Sequence, residues 1–187
     1  SGFCYLNDPV FAIKSLKNHG ASRVAYLDLD AHHPDGVEMG FRGDPTVRMI
    51  SVHEENRWPF TGLLKDTAGG SALNLPVPRG LNDSEMRLIF YDLILPALES
   101  FVPDAIVLQC GSDAIHEDPL SRLSLSNNAH ADIIAGLMGF APRLMVLGGG
   151  GYNPWSVGRC WTRIWGVLNG LTVPERLNPS AQSVLRG

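Results

Sequence analysis

The sequence has no C-x-x-C pair, and its three cysteines, Cys4, Cys110 and Cys160, are an odd and widely spaced set. That excludes a disulfide framework and a cysteine-built metal site, so reduced thiols and a cytoplasmic setting are expected. Charge is also scarce. Only 18% of residues are charged, against a typical ~25%. The 15 basic and 19 acidic residues leave a net charge of −4, which gives no basic surface for phosphates, so no nucleic-acid partner is expected. No apolar run approaches the ~20 residues of a membrane span, and no export signal opens the chain, so no membrane partner is expected either.

What is present is a single domain's worth of chain rich in turn formers. The 187 residues include 20 glycines and 13 prolines. A chain of this length buries roughly 70% of the surface its unfolded form exposes. Its first residues, Ser1-Gly-Phe-Cys-Tyr, read like the interior of a domain, so a fragment of a larger unit is expected.

Strand and helix signals alternate. Asp8-Pro9 predicts a helix start, with Asp8 as the cap, apolar positions at Val10, Ile13 and Leu16, and a stop at Gly20. Residues 23–30 read as a buried strand, with further strands over 47–53, 72–77, 105–108 and 144–147. Asn82 and Glu85 form a capping-box pattern ahead of an apolar helical stripe reaching Phe101, which Pro96 is expected to kink. Helices are also predicted over 127–140 and from Pro154 to about Leu168. From Leu171 to Gly187 little periodicity remains, and a loosely packed tail is expected. Alternating strands and helices imply an α/β fold whose parallel sheet is covered on both faces, with its chemistry beyond the strands' carboxyl ends.

Three clusters stand at those ends. The first is Asp28-Leu-Asp30-Ala-His32-His-Pro-Asp35. Continued strand alternation would put Asp28, Asp30 and His32 on one face, and burying two carboxylates with an imidazole there calls for a cation. A lone D-x-D is ordinarily a solvated turn; the apolar strand before it and the added histidine favour a metal. The second is Gln109-Cys-Gly-Ser-Asp113. Alone, Asp113 reads equally as a turn residue. With Asp30 and His32 it completes a three-ligand set with one position open, the pattern of a catalytic zinc. The third is Gly148 to Gly151 followed by Tyr152. The glycine run suggests backbone packed close to something, and Tyr152 is either a core tyrosine or an oxyanion donor.

With these motifs in order, the sequence resembles the zinc-dependent histone deacetylase superfamily, which includes acetoin-utilisation deacetylases and acetylpolyamine amidohydrolases. The resemblance rests on SGFCYLND (1–8), YLDLDAHHPDGVE (26–38), LQCGSD (108–113) and GGGGYNPWSVGRCWT (148–162), and SVHEENRWPFTG (51–62) is similar to the acetoin-utilisation branch. It implies an arginase/deacetylase-type three-layer α/β/α fold with a mainly parallel sheet. Residues 1–170 would be the C-terminal portion of that domain and 171–187 the tail. The implied activity is hydrolysis of acetyl-lysine in a protein or peptide, or of a small acylated amine. The implied metal ligands are Asp30, His32 and Asp113, holding Zn²⁺, with Fe²⁺ or Mn²⁺ as alternatives. Tyr152 would stabilise the oxyanion, while Asp28 and Asp35 would orient a tandem histidine pair. Gly2, Phe3, Trp58, Leu120 and Gly151 would line the acyl-lysine tunnel. Potassium is implied near Asp28, Asp30, His32, Ser51 and the carbonyl of Val52.

Several departures follow from the same resemblance. None of the six histidines, at 19, 32, 33, 53, 116 and 130, occupies the place of the tandem pair, the family's general base. Such a base is typically worth about 10²–10⁴ in rate, so this chain alone is expected to be severely impaired. A non-catalytic acyl-lysine or metal-binding module is the alternative. An exposed apolar edge, open to self-association, is expected where the rest of the domain would pack. Pro34 and Phe60 stand where the family usually has glycines. Glu54, Glu55, Glu117 and Asp118 are candidates for attracting a basic substrate.

Overall fold

The computed structural model describes residues 2–174 and 176–186. Ser1 of the first matched segment, and Glu175 and Gly187 of the expected tail, lie outside the described residues.

Five strands form one parallel sheet: β1 (Val24–Asp28), β2 (Val47–Glu54), β3 (Ala72–Val77), β4 (Ala105–Gln109) and β5 (Leu144–Leu147). Their spatial order is β3-β2-β1-β4-β5. Leu27 lies opposite Ile50 on one side and Leu108 on the other, so β1 is central. All five of its residues are buried, as expected for a strand covered on both faces.

Alternation divides these strands between two cores. Ala25, Leu27, Ile50, Val52, Ile106 and Leu108 face the larger one, packed with α3 (Asp83–Ile89), α4 (Leu95–Phe101), α5 (Asn127–Leu137) and α6 (Pro154–Leu168). Val24, Tyr26, Val47, Met49, Ala105 and Val107 face the other, beneath α1 (Asp8–Asn18) and the short α2 (Asp35–Gly40). The result is three layers, α/β/α. Each large aliphatic side chain buried in this way contributes about 1.5–3 kcal/mol.

Several local expectations need correcting. The cap of α1 is Asn7, whose side chain accepts from Val10 N–H, and Asp8 is already helical. The predicted kink at Pro96 is taken up one turn earlier. Pro96 cannot donate to the Asp92 carbonyl, and the helix widens over Phe90–Ile94, with Leu95 N–H donating to Phe90 O. Helix α5 stops at Leu137 because Met138 turns extended and Gly139 takes φ +79°. Residues 179–186 form a further helix, α7, although residues 171–174 and 176–180 are all exposed. No described helix is long and apolar enough to cross a membrane.

Strand order reverses between β1 and β4. In open α/β sheets the crevice beyond the carboxyl ends at such a point receives ligands. On the far side of β4, β5 is an edge strand: Leu144, Val146 and Leu147 are half-buried and Met145 is exposed.

Candidate metal centre

Asp30 and His32 leave the end of β1, and Asp113 follows β4, so the reversal point brings them together. One ligand atom from each lies within 4.8 Å of the others. His32 Nδ1 is 3.1 Å from Asp30 Oδ1 and 2.9 Å from Asp113 Oδ2. Strand alternation does not produce this arrangement, because β1 ends at Asp28. Two successive Asx turns do: Asp28 Oδ1 accepts from Asp30 N–H, and Asp30 Oδ1 from His32 N–H, both at 2.9 Å. Asp113 Oδ1 then accepts from Ala31 N–H at 2.9 Å, locking one strand end to the other.

Glycines make room for these carboxylates. A Cβ on Gly150 would lie 2.7 Å from Asp30 Oδ2, and one on Gly111 2.7 Å from Asp30 Cβ. A Cβ on Gly149 would lie 2.7 Å from the Gly111 backbone. Hence the glycine run is not slack: it packs on the 111–113 turn and donates Gly150 N–H to Asp30 Oδ2 at 2.8 Å.

The three groups interact strongly with one another. Burial opposes charge on His32, but Asp113 and Asp30 outweigh it and raise its pKa to about 10. Burial, and next the charge of Asp30, push the Asp113 carboxyl up. Burial and then Asp30 also raise Asp28 well above the usual carboxylate range. Two carboxylates and an imidazole in a glycine-lined hollow fit a divalent ion that takes oxygen and nitrogen ligands.

Asp28 and Ser51 are register partners on β1 and β2. Tyr26 hydroxyl donates to Asp28 Oδ2 at 2.5 Å, and Ser51 Oγ lies 2.8 Å from His53 Nδ1. Val52 is buried beside them. Asp35 begins α2 and accepts from Gly36 N–H at 2.8 Å.

The tunnel candidates form a connected rim. Phe3 meets Tyr152 edge to face at 5.9 Å between centroids. Tyr152 N–H donates to Asp118 Oδ2 at 2.7 Å, and Asp118 Oδ1 accepts from Leu120 N–H at 2.9 Å. Arg57 Nη1 donates to Leu120 O at 2.8 Å, and Trp58 follows it, edge-on to Phe60 at 6.0 Å. Gly151 takes φ +151°, a conformation open to glycine, and turns the chain into Tyr152. Gly2 supplies backbone alone; its carbonyl accepts from Cys4 N–H at 2.7 Å. Phe60 adopts φ +64°, the left-handed conformation that favours glycine. Burial first, then Asp113 and Asp30, raise the Tyr152 phenol to about 12.

The substrate-attracting role of the four acids needs correction. Glu54 and Asp118 are buried and bonded, and Glu117 pairs with Arg159 at 2.8 Å, so Glu55 alone of the four is exposed and without such a pairing. Burial would raise Glu54, but hydrogen bonds from Arg57 and Arg122 N–H hold it below the usual carboxylate range. Composition had also given no sign of a second buried network. There His33 contacts Thr61 and Glu38, while His53 contacts Ser51 and Gly62 O. The available signal was Gly62, where a Cβ would meet His53 Nε2 at 2.7 Å.

Comparison with known proteins identifies the family. The family model described as "Histone deacetylase domain" matches residues 1–168. The chain is 40% identical to Histone deacetylase 19 of Arabidopsis thaliana and 39% identical to Histone deacetylase 1 of Homo sapiens. Each alignment covers 95% of this chain, but only 36% and 38% of those proteins. A solved structure of an HDAC homolog from Aquifex aeolicus superposes with a TM-score of 0.86 at 38% identity. It covers 100% of this chain and 52% of that one. The chain thus spans between about a third and a half of the relatives it matches.

Proposed function

Because the chain belongs to the histone deacetylase family, we propose that its protein hydrolyses the amide bond of acetyl-lysine in a protein or peptide, or of a small acylated amine. The observation that carries this reading is the convergence of Asp30, His32 and Asp113 at the β1–β4 reversal point. We assign them Zn²⁺, with Fe²⁺ or Mn²⁺ as alternatives for an oxygen-rich site. When bound, the ion supplies Lewis-acid polarisation of the amide carbonyl and a water acidic enough to attack near neutral pH.

The chain's own residues supply the rest. With a pKa of about 12, Tyr152 keeps its proton at pH 7 and donates it in a hydrogen bond to the developing oxyanion. Phe3, Trp58 and Leu120 hold the uncharged methylene stem, and the Gly2 and Gly151 backbone lets it pass. Asp28 and Asp35 orient a histidine base that this sequence does not itself contain. Potassium near Asp28, Asp30, His32, Ser51 and the Val52 carbonyl answers the raised Asp28 carboxyl. Three free thiols fit a cytoplasmic setting. The edge strand β5, with Met145 exposed, is the surface we assign to self-association.

The test is hydrolysis of an acetyl-lysine peptide and of an acetylated polyamine by the full-length protein and by residues 1–187. Turnover by the full-length protein is expected, with Tyr152→Phe lowering kcat by about 10²–10³. Unchanged turnover in that variant contradicts the assignment. One observation favours a non-catalytic binding module: His33, His53 and His130 are each committed to buried hydrogen bonds. Peptide binding without turnover in the full-length protein is the result that selects it.

A further inference from the structure

Four glycines in a row leave Tyr152 poorly placed by its own backbone, so something else must fix it. Two pegs hold the run. At one, Gly150 N–H binds Asp30 and Gly150 O accepts from Ser112 N–H at 2.7 Å. At the other, Tyr152 N–H binds Asp118 at 2.7 Å.

Resting on the deacetylase reading of Tyr152, we propose that Asp118 is the positioning residue that holds Tyr152 and Leu120 at a fixed separation across the mouth of the site. Asp118 is 4% exposed, and each of its oxygens accepts one backbone N–H. The bond to Leu120 is an ordinary Asx turn. The bond to Tyr152 spans 34 residues and does nothing for that turn. A buried carboxylate with each oxygen on a different loop acts as a clamp, because charge-assisted bonds are short and about twice as strong as neutral ones.

Neighbouring contacts make the clamp rigid. Asp118 N–H donates to Ile115 O at 2.9 Å. Ser121 Oγ donates to the carbonyl of Asp113 at 2.5 Å, tying the same loop to a proposed metal ligand. Arg57 and Glu54 secure the loop's other end through Leu120 O and Arg122 N–H. Asn153 Nδ2 reaches Glu117 O at 3.2 Å, so the segment after Tyr152 is pinned as well.

Asp118→Asn keeps the shape but replaces one acceptor with an NH₂ group facing a backbone N–H. Backbone amide exchange at whichever of Tyr152 and Leu120 faces the NH₂ group should then be at least about tenfold faster, with Ile106 and Leu108 unchanged. In the full-length protein kcat should fall about 10- to 100-fold, since small misplacements of a catalytic group carry that cost. In a Tyr152→Phe background the same substitution should leave kcat where it is and affect only KM, through Leu120. An additive loss of kcat in that background overturns the proposal. If Asp118→Asn does not fold, the unmutated protein decides. A through-hydrogen-bond coupling from the Tyr152 amide nitrogen to the Asp118 carboxylate carbon is expected, and its absence overturns the clamp. Absence of turnover in the unmutated protein defeats the deacetylase reading instead, and the exchange and coupling measurements still judge the clamp.

Discussion

The backbone of Gly150 rests on the carboxylate of Asp30: its N–H donates to Oδ2 at 2.8 Å, and a Cβ placed there would stand 2.7 Å from the same oxygen. Gly150→Ala therefore has to displace Asp113, whose Oδ2 is the nearest atom to such a Cβ, together with Asp30, or else the glycine run itself. Zinc affinity should weaken about 10- to 100-fold, as when a ligand's supporting contacts are lost. Titration with a competing chelator measures it, and wild-type affinity contradicts the packing.

Gly158 is the control. It lies within α6, is exposed, and a Cβ there meets nothing within 4 Å. Gly158→Ala should stabilise the protein by about 0.5–1 kcal/mol through helix propensity. A shift in the urea midpoint reports this, with zinc affinity unchanged.

Asp30, His32 and Asp113 were legible because each follows a nearly continuous apolar strand, where a polar side chain needs a reason. The strand order completes the argument, since only the reversal between β1 and β4 makes residues so far apart in sequence neighbours. The Asx turns were not legible: Asp28 and Asp30 have the same composition whether the chain continues extended or turns. Asp118 and Glu54 read as candidates for attracting a basic substrate because burial and backbone partners are set by tertiary contacts. The widened turn before Pro96 was hidden for a related reason, as a proline signals a lost hydrogen bond but not how the helix absorbs it.

Acid sensitivity should come partly from His53. Its Nε2–H donates to Gly62 O and its Nδ1 accepts from Ser51, the neutral tautomer. Burial, and then the charge of His33, lower its pKa from 6.5 to about 4. Between those values the unfolded chain binds a proton that the folded one refuses. Stability therefore falls as pH drops from 6.5 to 4 and is indifferent to this group above 6.5. The contribution is at most about 3 kcal/mol. His53→Asn should be less stable at pH 7, yet lose stability less steeply across the window. Equal slopes in urea denaturation at stepped pH contradict this.

Helix α4 ends on Val102 at φ +51°, a conformation that disfavours a β-branched residue. The side chain is 58% exposed and has little packing to lose. Val102→Gly should stabilise by about 1 kcal/mol, the left-handed penalty less the added freedom of the unfolded chain. A lowered urea midpoint contradicts it.

The central claim is that Asp30, His32 and Asp113 form one divalent metal site. It is tested most directly by elemental analysis of zinc bound to purified residues 1–187, beside Asp113→Ala. The account predicts about one zinc per chain, lost in the variant. No zinc in the unmutated chain, or equal zinc in both, contradicts it.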